Sequence, residues 1–213
     1  SRVEGHAGVP PANAGSLFAA HVGSGRCAMV DLGQGESGHE VSFEAFDHAC
    51  NGVASGLQRE GLNRGDRVGI LSGNRWEFLA VIFGAMRADC VAVPINLRLA
   101  DVVVNDILAD ADVRLVFTDD TNRDRPAPGL RRVSFDDPEY GFSRFLDAGP
   151  FDAIVPDDND PALQPYTSGS TGRPKGVLLG HGGIVWVTQA AVQMRAISAD
   201  ICTMVAAPMF HKN

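Results

Sequence analysis

An α/β fold with a mostly parallel, doubly wound sheet and flanking helices is the architecture this sequence predicts. Three observations predict it. Short apolar runs recur at residues 67–72, 91–95 and 114–118. Stretches with apolar residues at helical spacing lie between them, at 75–88 and 99–111. A polar, Pro-containing loop follows the last run at 119–129. Neighbouring parallel strands need a crossover of a dozen or more residues, and a helix supplies it.

Each element has a local reason. Residues 16–21 read as a short helix, and 27–32 and 40–43 as strands around a Gly-rich turn. A long helix is predicted over 43–59. The run 67–72 is apolar between Arg67 and Ser72, as expected of a strand covered on both faces. Asn74 is suited to cap the next helix, because its side-chain oxygen can accept from a first-turn N–H. That helix carries Trp76, Leu79, Ala80, Phe83 and Met86 at helical spacing. A short strand is expected at 131–135, a second polar loop at 152–161, a helix at 182–195 and a strand at 201–206. We divide the chain into an N-terminal extension (1–14), an α/β subdomain (15–155) and a loop-bearing segment that opens a second, truncated subdomain (156–213).

The most specific stretch is Tyr166-Thr167-Ser168-Gly169-Ser170-Thr171-Gly172-Arg173-Pro174-Lys175-Gly176. Glycine lets backbone N–H groups turn inward at φ values that other residues resist. Hydroxyls and inward N–H groups can wrap phosphate oxygens, and a lysine adds a mobile point charge. The order departs from the GxxxxGK[ST] loop, because Arg173 and Pro174 separate Gly172 from Lys175. Val177-Leu178-Leu179 reads as a strand, so a strand–loop–strand is expected to hold the phosphates, not a helix N-terminus. A flexible Ser/Gly hairpin is the bland alternative.

This stretch resembles the signature loop of the adenylate-forming superfamily, which includes acyl-CoA and aryl-CoA synthetases, luciferases and peptide-synthetase adenylation domains. Gly65-Asp66-Arg67-Val68-Gly69-Ile70-Leu71 through Asn74, then Val91-Ala92-Val93-Pro94-Ile95-Asn96, is similar to the first α/β part of that family's large N-terminal domain. Ala207-Pro208-Met209-Phe210-His211 looks like its aromatic–His segment beside the acyl pocket. The family's ribose-binding Asp, its magnesium-holding acid and its C-terminal catalytic lysine have no counterpart here. The chain is therefore expected to be an N-terminal part of a longer enzyme and inactive alone, with apolar surface left open and homodimer formation possible.

The resemblance implies a chemistry. A carboxylate attacks the α-phosphate of ATP, giving acyl-AMP and pyrophosphate, and coenzyme A then takes the acyl group. Thr167, Ser168, Gly169, Ser170, Thr171 and Gly172 would hold the β- and γ-phosphates, with Thr167 also touching Mg²⁺. Lys175 would neutralise the leaving pyrophosphate, and Phe210 and His211 would border the carboxylate, which makes Lys175 and His211 the catalytic candidates. Amino-acid-activating members place an Asp near Phe210-His211, whereas Phe210-His211-Lys212-Asn213 has none, so an amine-free acid is expected. Two alternatives stay open. One is a luciferase-like or carrier-protein adenylating enzyme, and the other a non-catalytic nucleotide- or phosphate-binding module.

Bulk properties narrow the class further. The 213 residues are 45% hydrophobic, ordinary for a globular protein. Net charge is −8, and fifteen of the 26 acidic residues fall within 101–160 against six arginines. That acidity argues against nucleic acid as a partner. No apolar run reaches membrane-spanning length and no signal peptide is visible, so a cytoplasmic location is expected. Cys27, Cys50, Cys90 and Cys202 form no CxxC pair and read as reduced, mostly buried thiols. Sixteen arginines stand against two lysines, Lys175 and Lys212, so the phosphate loop keeps the compact ammonium in a chain that otherwise uses the planar fork.

Other motifs read as structure. Gly33-Gln34-Gly35-Glu36-Ser37-Gly38 matches GxGxxG, but alternating strand residues follow where a dinucleotide site needs a helix, so a hairpin turn is expected. The six histidines show no metal-binding spacing. His181 is read as a capping or packing residue at a helix start.

Overall fold

Segments that are apolar on both sides build the centre of the molecule. The structure is a computed structural model that describes residues 12–33, 38–147, 149–168, 174–198 and 201–210. Two 3-10 turns, Ala14–Ser16 and Ala19–His21, stand where one short helix was expected. β1 (Cys27–Asp31) and β2 (His39–Ser42) pair antiparallel, so the GxGxxG stretch does join the arms of a hairpin. α1 (Phe43–Arg59) starts at Ser42, whose hydroxyl accepts from Ala45 N at 3.1 Å. Next come β3 (Arg67–Leu71), α2 (Trp76–Arg87), β4 (Val91–Pro94), α3 (Asp101–Asp110), β5 (Val113–Thr118), β6 (Arg131–Ser134) and the single turn α4 (Phe142–Phe145). β7 (Pro161–Leu163), β8 (Tyr166–Ser168), β9 (Pro174–Gly176), β10 (Leu179–Gly180) and α5 (His181–Met194) follow.

Six strands form the main sheet in the order β10-β7-β4-β3-β5-β6. Five run parallel, and β10 runs antiparallel on the β7 edge. From β3 the chain goes to β4 on one side, then crosses to β5 on the other. That reversal is a switch point, and ligands of such sheets bind beyond the carboxyl ends of the strands there. Residues 72–74 and 119–122 occupy that edge.

Helices cover both faces. Val53 and Leu57 of α1 and Phe78 and Val81 of α2 are buried with Val68, Ile70 and Leu115. Val104, Ile107 and Leu108 of α3 are buried with Leu71, Val93 and Val116 on the other face. Successive strand residues point to opposite faces, which explains why Ile70 and Leu71 belong to different clusters. α1 and α2 touch closely at Gly84, where a β-carbon would lie 2.6 Å from Val53 Cβ and 2.7 Å from the Cys50 carbonyl oxygen.

Several expectations change. Asn74 does not cap α2. The carboxylate of Asp31 accepts from Trp76 N at 3.0 Å and does that work from the end of β1. The predicted strand at 201–206 is absent: the segment has no regular secondary structure, is exposed and lies in no ladder. Strand structure around Val177-Leu178-Leu179 is displaced to Pro174–Gly176 and Leu179–Gly180, because pairing with β8 fixes the register. β7 and α4 were not anticipated. Cys50 and Cys90 are buried, but Cys27 and Cys202 are exposed, so only half of the thiols match the buried reading. Burial pushes the Cys90 thiol up to about 12. Apolar side chains stand exposed on and after α5, including Trp186, Val187, Met194, Met204 and Val205. Among the described residues no helix is long and apolar enough to cross a membrane.

Candidate functional site

The glycine- and hydroxyl-rich stretch begins and ends in a two-stranded ladder. Tyr166 pairs with Gly176, Thr167 with Lys175, and Ser168 with Pro174. Directly opposed residues of an antiparallel pair project to the same face. Thr167 and Lys175 therefore stand side by side, and both are exposed. A hydroxyl and an ammonium share one open surface at the mouth of the loop. The side chain of Ser168, and Gly169, Ser170, Thr171 and Gly172, lie outside the described residues.

The base of the hairpin is tied down on its other face. Tyr166 Oη donates to Asp110 Oδ2 at 2.5 Å and accepts from Gln164 Nε2 at 3.2 Å. Burial, and then the Asp110 carboxylate, push the phenol above its ordinary range. The ring occupies space beside Gly176, where a β-carbon would meet Gln164 Nε2 at 2.6 Å and Tyr166 Cζ at 3.0 Å. Any other residue at 176 would displace the ring or the strand.

Beyond the hairpin, α5 starts at His181, which is fully buried. Its Nδ1 accepts from Ala14 N at 3.1 Å, and its Nε2 lies 3.6 Å from Asp89 Oδ1. Burial lowers its pKa, while Asp89 and Asp160 oppose that shift. The packing role expected of His181 holds: the ring ties the N-terminal turn to α5. Asp89 also takes the Arg64 Nε–H at 2.5 Å.

Phe210 is buried within the main core cluster. The segment before it is held by Asn74, whose Nδ2 donates to Ala207 O at 2.9 Å and whose Oδ1 accepts from Met209 N at 2.8 Å. His211 lies outside the described residues. Sequence reasoning assigned Asn74 to a helix cap. Its position just after a buried strand, where site residues gather in parallel sheets, was the signal for a different role. Among the described residues no group of three or more His, Cys, Asp or Glu side chains could hold a metal ion.

Known proteins share this sequence pattern and fold. Residues 18–213 match the family model described as AMP-binding enzyme. An indoleacetate–CoA ligase from Aromatoleum aromaticum is 33% identical over 186 residues, which cover 81% of this chain and 36% of the ligase. A feruloyl-CoA synthase from an Amycolatopsis species is 34% identical over 178 residues, covering 82% of this chain and 35% of the synthase. The chain thus spans only 36% and 35% of the lengths of these relatives. The inhibitor-bound N-terminal domain of FACL13 from Mycobacterium tuberculosis superposes with a TM-score of 0.76 at 26% identity, over 93% of this chain and 52% of that one.

Proposed function

The chain belongs to the AMP-binding enzyme family, and from that premise we propose that the protein carrying it activates a carboxylic acid with ATP and transfers the acyl group to coenzyme A. In the first step a carboxylate oxygen attacks the α-phosphorus. The bond to the bridging oxygen of pyrophosphate breaks, and acyl-AMP forms. In the second step the coenzyme A thiol, having lost its proton, attacks the acyl carbonyl. AMP leaves and a thioester results.

One observation carries this reading: Thr167 and Lys175 are cross-strand partners on an exposed face of the hairpin. Phosphoryl chemistry depends mainly on positioning and charge neutralisation. Lys175 supplies the charge where pyrophosphate departs. The hydroxyls of Thr167, Ser168, Ser170 and Thr171 donate to the β- and γ-phosphates, and Gly169 and Gly172 allow the backbone to approach. Mg²⁺ is held chiefly by substrate phosphates in sites of this kind. It would arrive with the nucleotide and meet the Thr167 hydroxyl. Phe210 and His211 border the acyl carboxylate.

The acid is one without an amino group. Residues 210–213 offer no carboxylate to pair with a substrate ammonium. The two relatives are named for indoleacetate and feruloyl groups, which also lack an amine. The test is acid-dependent ATP–pyrophosphate exchange by the full-length protein, with indoleacetate, ferulate, a fatty acid and a set of amino acids. Exchange driven by an amine-free acid is expected. Exchange driven best by an amino acid, or by no carboxylate at all, contradicts the proposal.

A further inference from the structure

Asn74 turns both ends of its side-chain amide, nitrogen and oxygen, to a segment remote in sequence. The residue stands just beyond β3, at the carboxyl edge where the strand order reverses. It gives one hydrogen bond to Ala207 O and takes one from Met209 N, 133 and 135 positions downstream. An amide offers a donor and an acceptor in one plane, so it can mimic the edge of a strand. The segment needs such a partner. Residues 201–206 lie in no ladder, and Phe210, immediately after the clamp, is sunk in the core.

We propose that Asn74 is a positioning residue for the carboxylate pocket. It fixes 207–209 against the switch-point edge, so that the chain enters the carboxylate pocket at Phe210 in one geometry. The inference rests on the reading that Phe210 and His211 border the acyl carboxylate. Asn74 itself does not touch the acid. The side chain is specific to the task. Aspartate keeps the acceptor but turns a carboxylate toward the Ala207 carbonyl. Serine is too short to span both groups, and glutamine adds a methylene that pushes the segment away.

The experiment compares Asn74→Ala with Asn105→Ala in the full-length protein. Asn105 makes a similar clamp elsewhere, donating to Arg125 O at 2.9 Å and accepting from Ala127 N at 2.6 Å. For Asn74→Ala, the KM for the carboxylic acid in ATP–pyrophosphate exchange should rise about tenfold, as loss of two hydrogen bonds allows. The KM for ATP should stay within about twofold. Asn105→Ala should lower stability and leave both KM values in place. A second measurement needs no activity: hydrogen exchange at the Met209 amide should speed up at least about tenfold in Asn74→Ala and not in Asn105→Ala. An unchanged acid KM, acid and ATP KM values that rise together, or an unchanged Met209 amide would overturn the proposal while leaving the ligase reading intact. Absence of acid-dependent exchange in the wild-type protein would instead defeat the ligase reading on which the proposal rests.

Discussion

Tyr166 and Asp110 are joined, hydroxyl to carboxylate, at 2.5 Å, and this contact ties the base of the β8–β9 hairpin to the end of α3. Two strands of three residues each are marginal alone in water. The tie, with the ring seated beside Gly176, gives the loop a fixed origin.

Tyr166→Phe should therefore keep the ring and lose the tie. We expect a stability loss of about 1 kcal/mol, typical of one hydrogen bond. The larger effect should be on adenylate formation, slowed severalfold with little change in affinity for the carboxylic acid. Asp110→Asn should act in the same direction and more weakly, because an amide can still accept. Wild-type exchange rates in Tyr166→Phe would show that the tie does not serve the loop.

Gly84→Ala tests the packing of α1 on α2. The new β-carbon would press on Val53 and on the Cys50 carbonyl oxygen, and backbone cannot move aside cheaply. A loss of about 1–3 kcal/mol is expected, as for other overpacked cores. Urea midpoints at equal slope measure it, and an unchanged midpoint would mean that the helices separate without cost.

How much was legible in the sequence depends on where each signal resides. Val68, Ile70, Val91, Val93, Leu115 and Val116 announce buried strands, since they sit in short, mostly apolar runs without sustained polar alternation. A strand after the hydroxyl-rich stretch was readable from the apolar run Val177-Leu178-Leu179, although pairing with β8 places it at Pro174–Gly176. β7 was not: three residues beginning with proline carry no period, and the segment is recruited by pairing with β4. The run 201–206 has strand composition but finds no partner strand. Asn74 was misread because a cap and a clamp use the same amide, and only the tertiary neighbour decides between them. The Tyr166–Asp110 contact spans 56 positions and leaves no local trace.

His181 gives stability a pH dependence with a definite sign. Burial holds its folded pKa below the ordinary 6.5, and Asp89 and Asp160 only partly offset that. The unfolded chain therefore binds more protons as pH falls below about 6.5. This contribution is whole above that pH and is lost as pH falls through the lowered folded value. Protonation at Nδ1 also removes the acceptor for Ala14 N–H. Denaturant midpoints between about pH 7.5 and 5.5 should fall more steeply in the wild type than in His181→Gln. Equal slopes would contradict the assignment.

The most direct test of the account is Lys175→Ala in the full-length protein, with the two half-reactions measured apart. Loss of a charge-assisted contact to a reacting phosphate is worth roughly 2–4 kcal/mol, or about 30- to 1000-fold in rate. Adenylate formation should slow by that factor. Lys175→Arg should recover only part of it, since a planar fork cannot follow departing pyrophosphate as an ammonium can. Thioester formation from pre-made acyl-AMP should be nearly spared, because pyrophosphate has already left. If the thioester step falls as far as adenylation, Lys175 does not serve the phosphates and the site assignment is wrong.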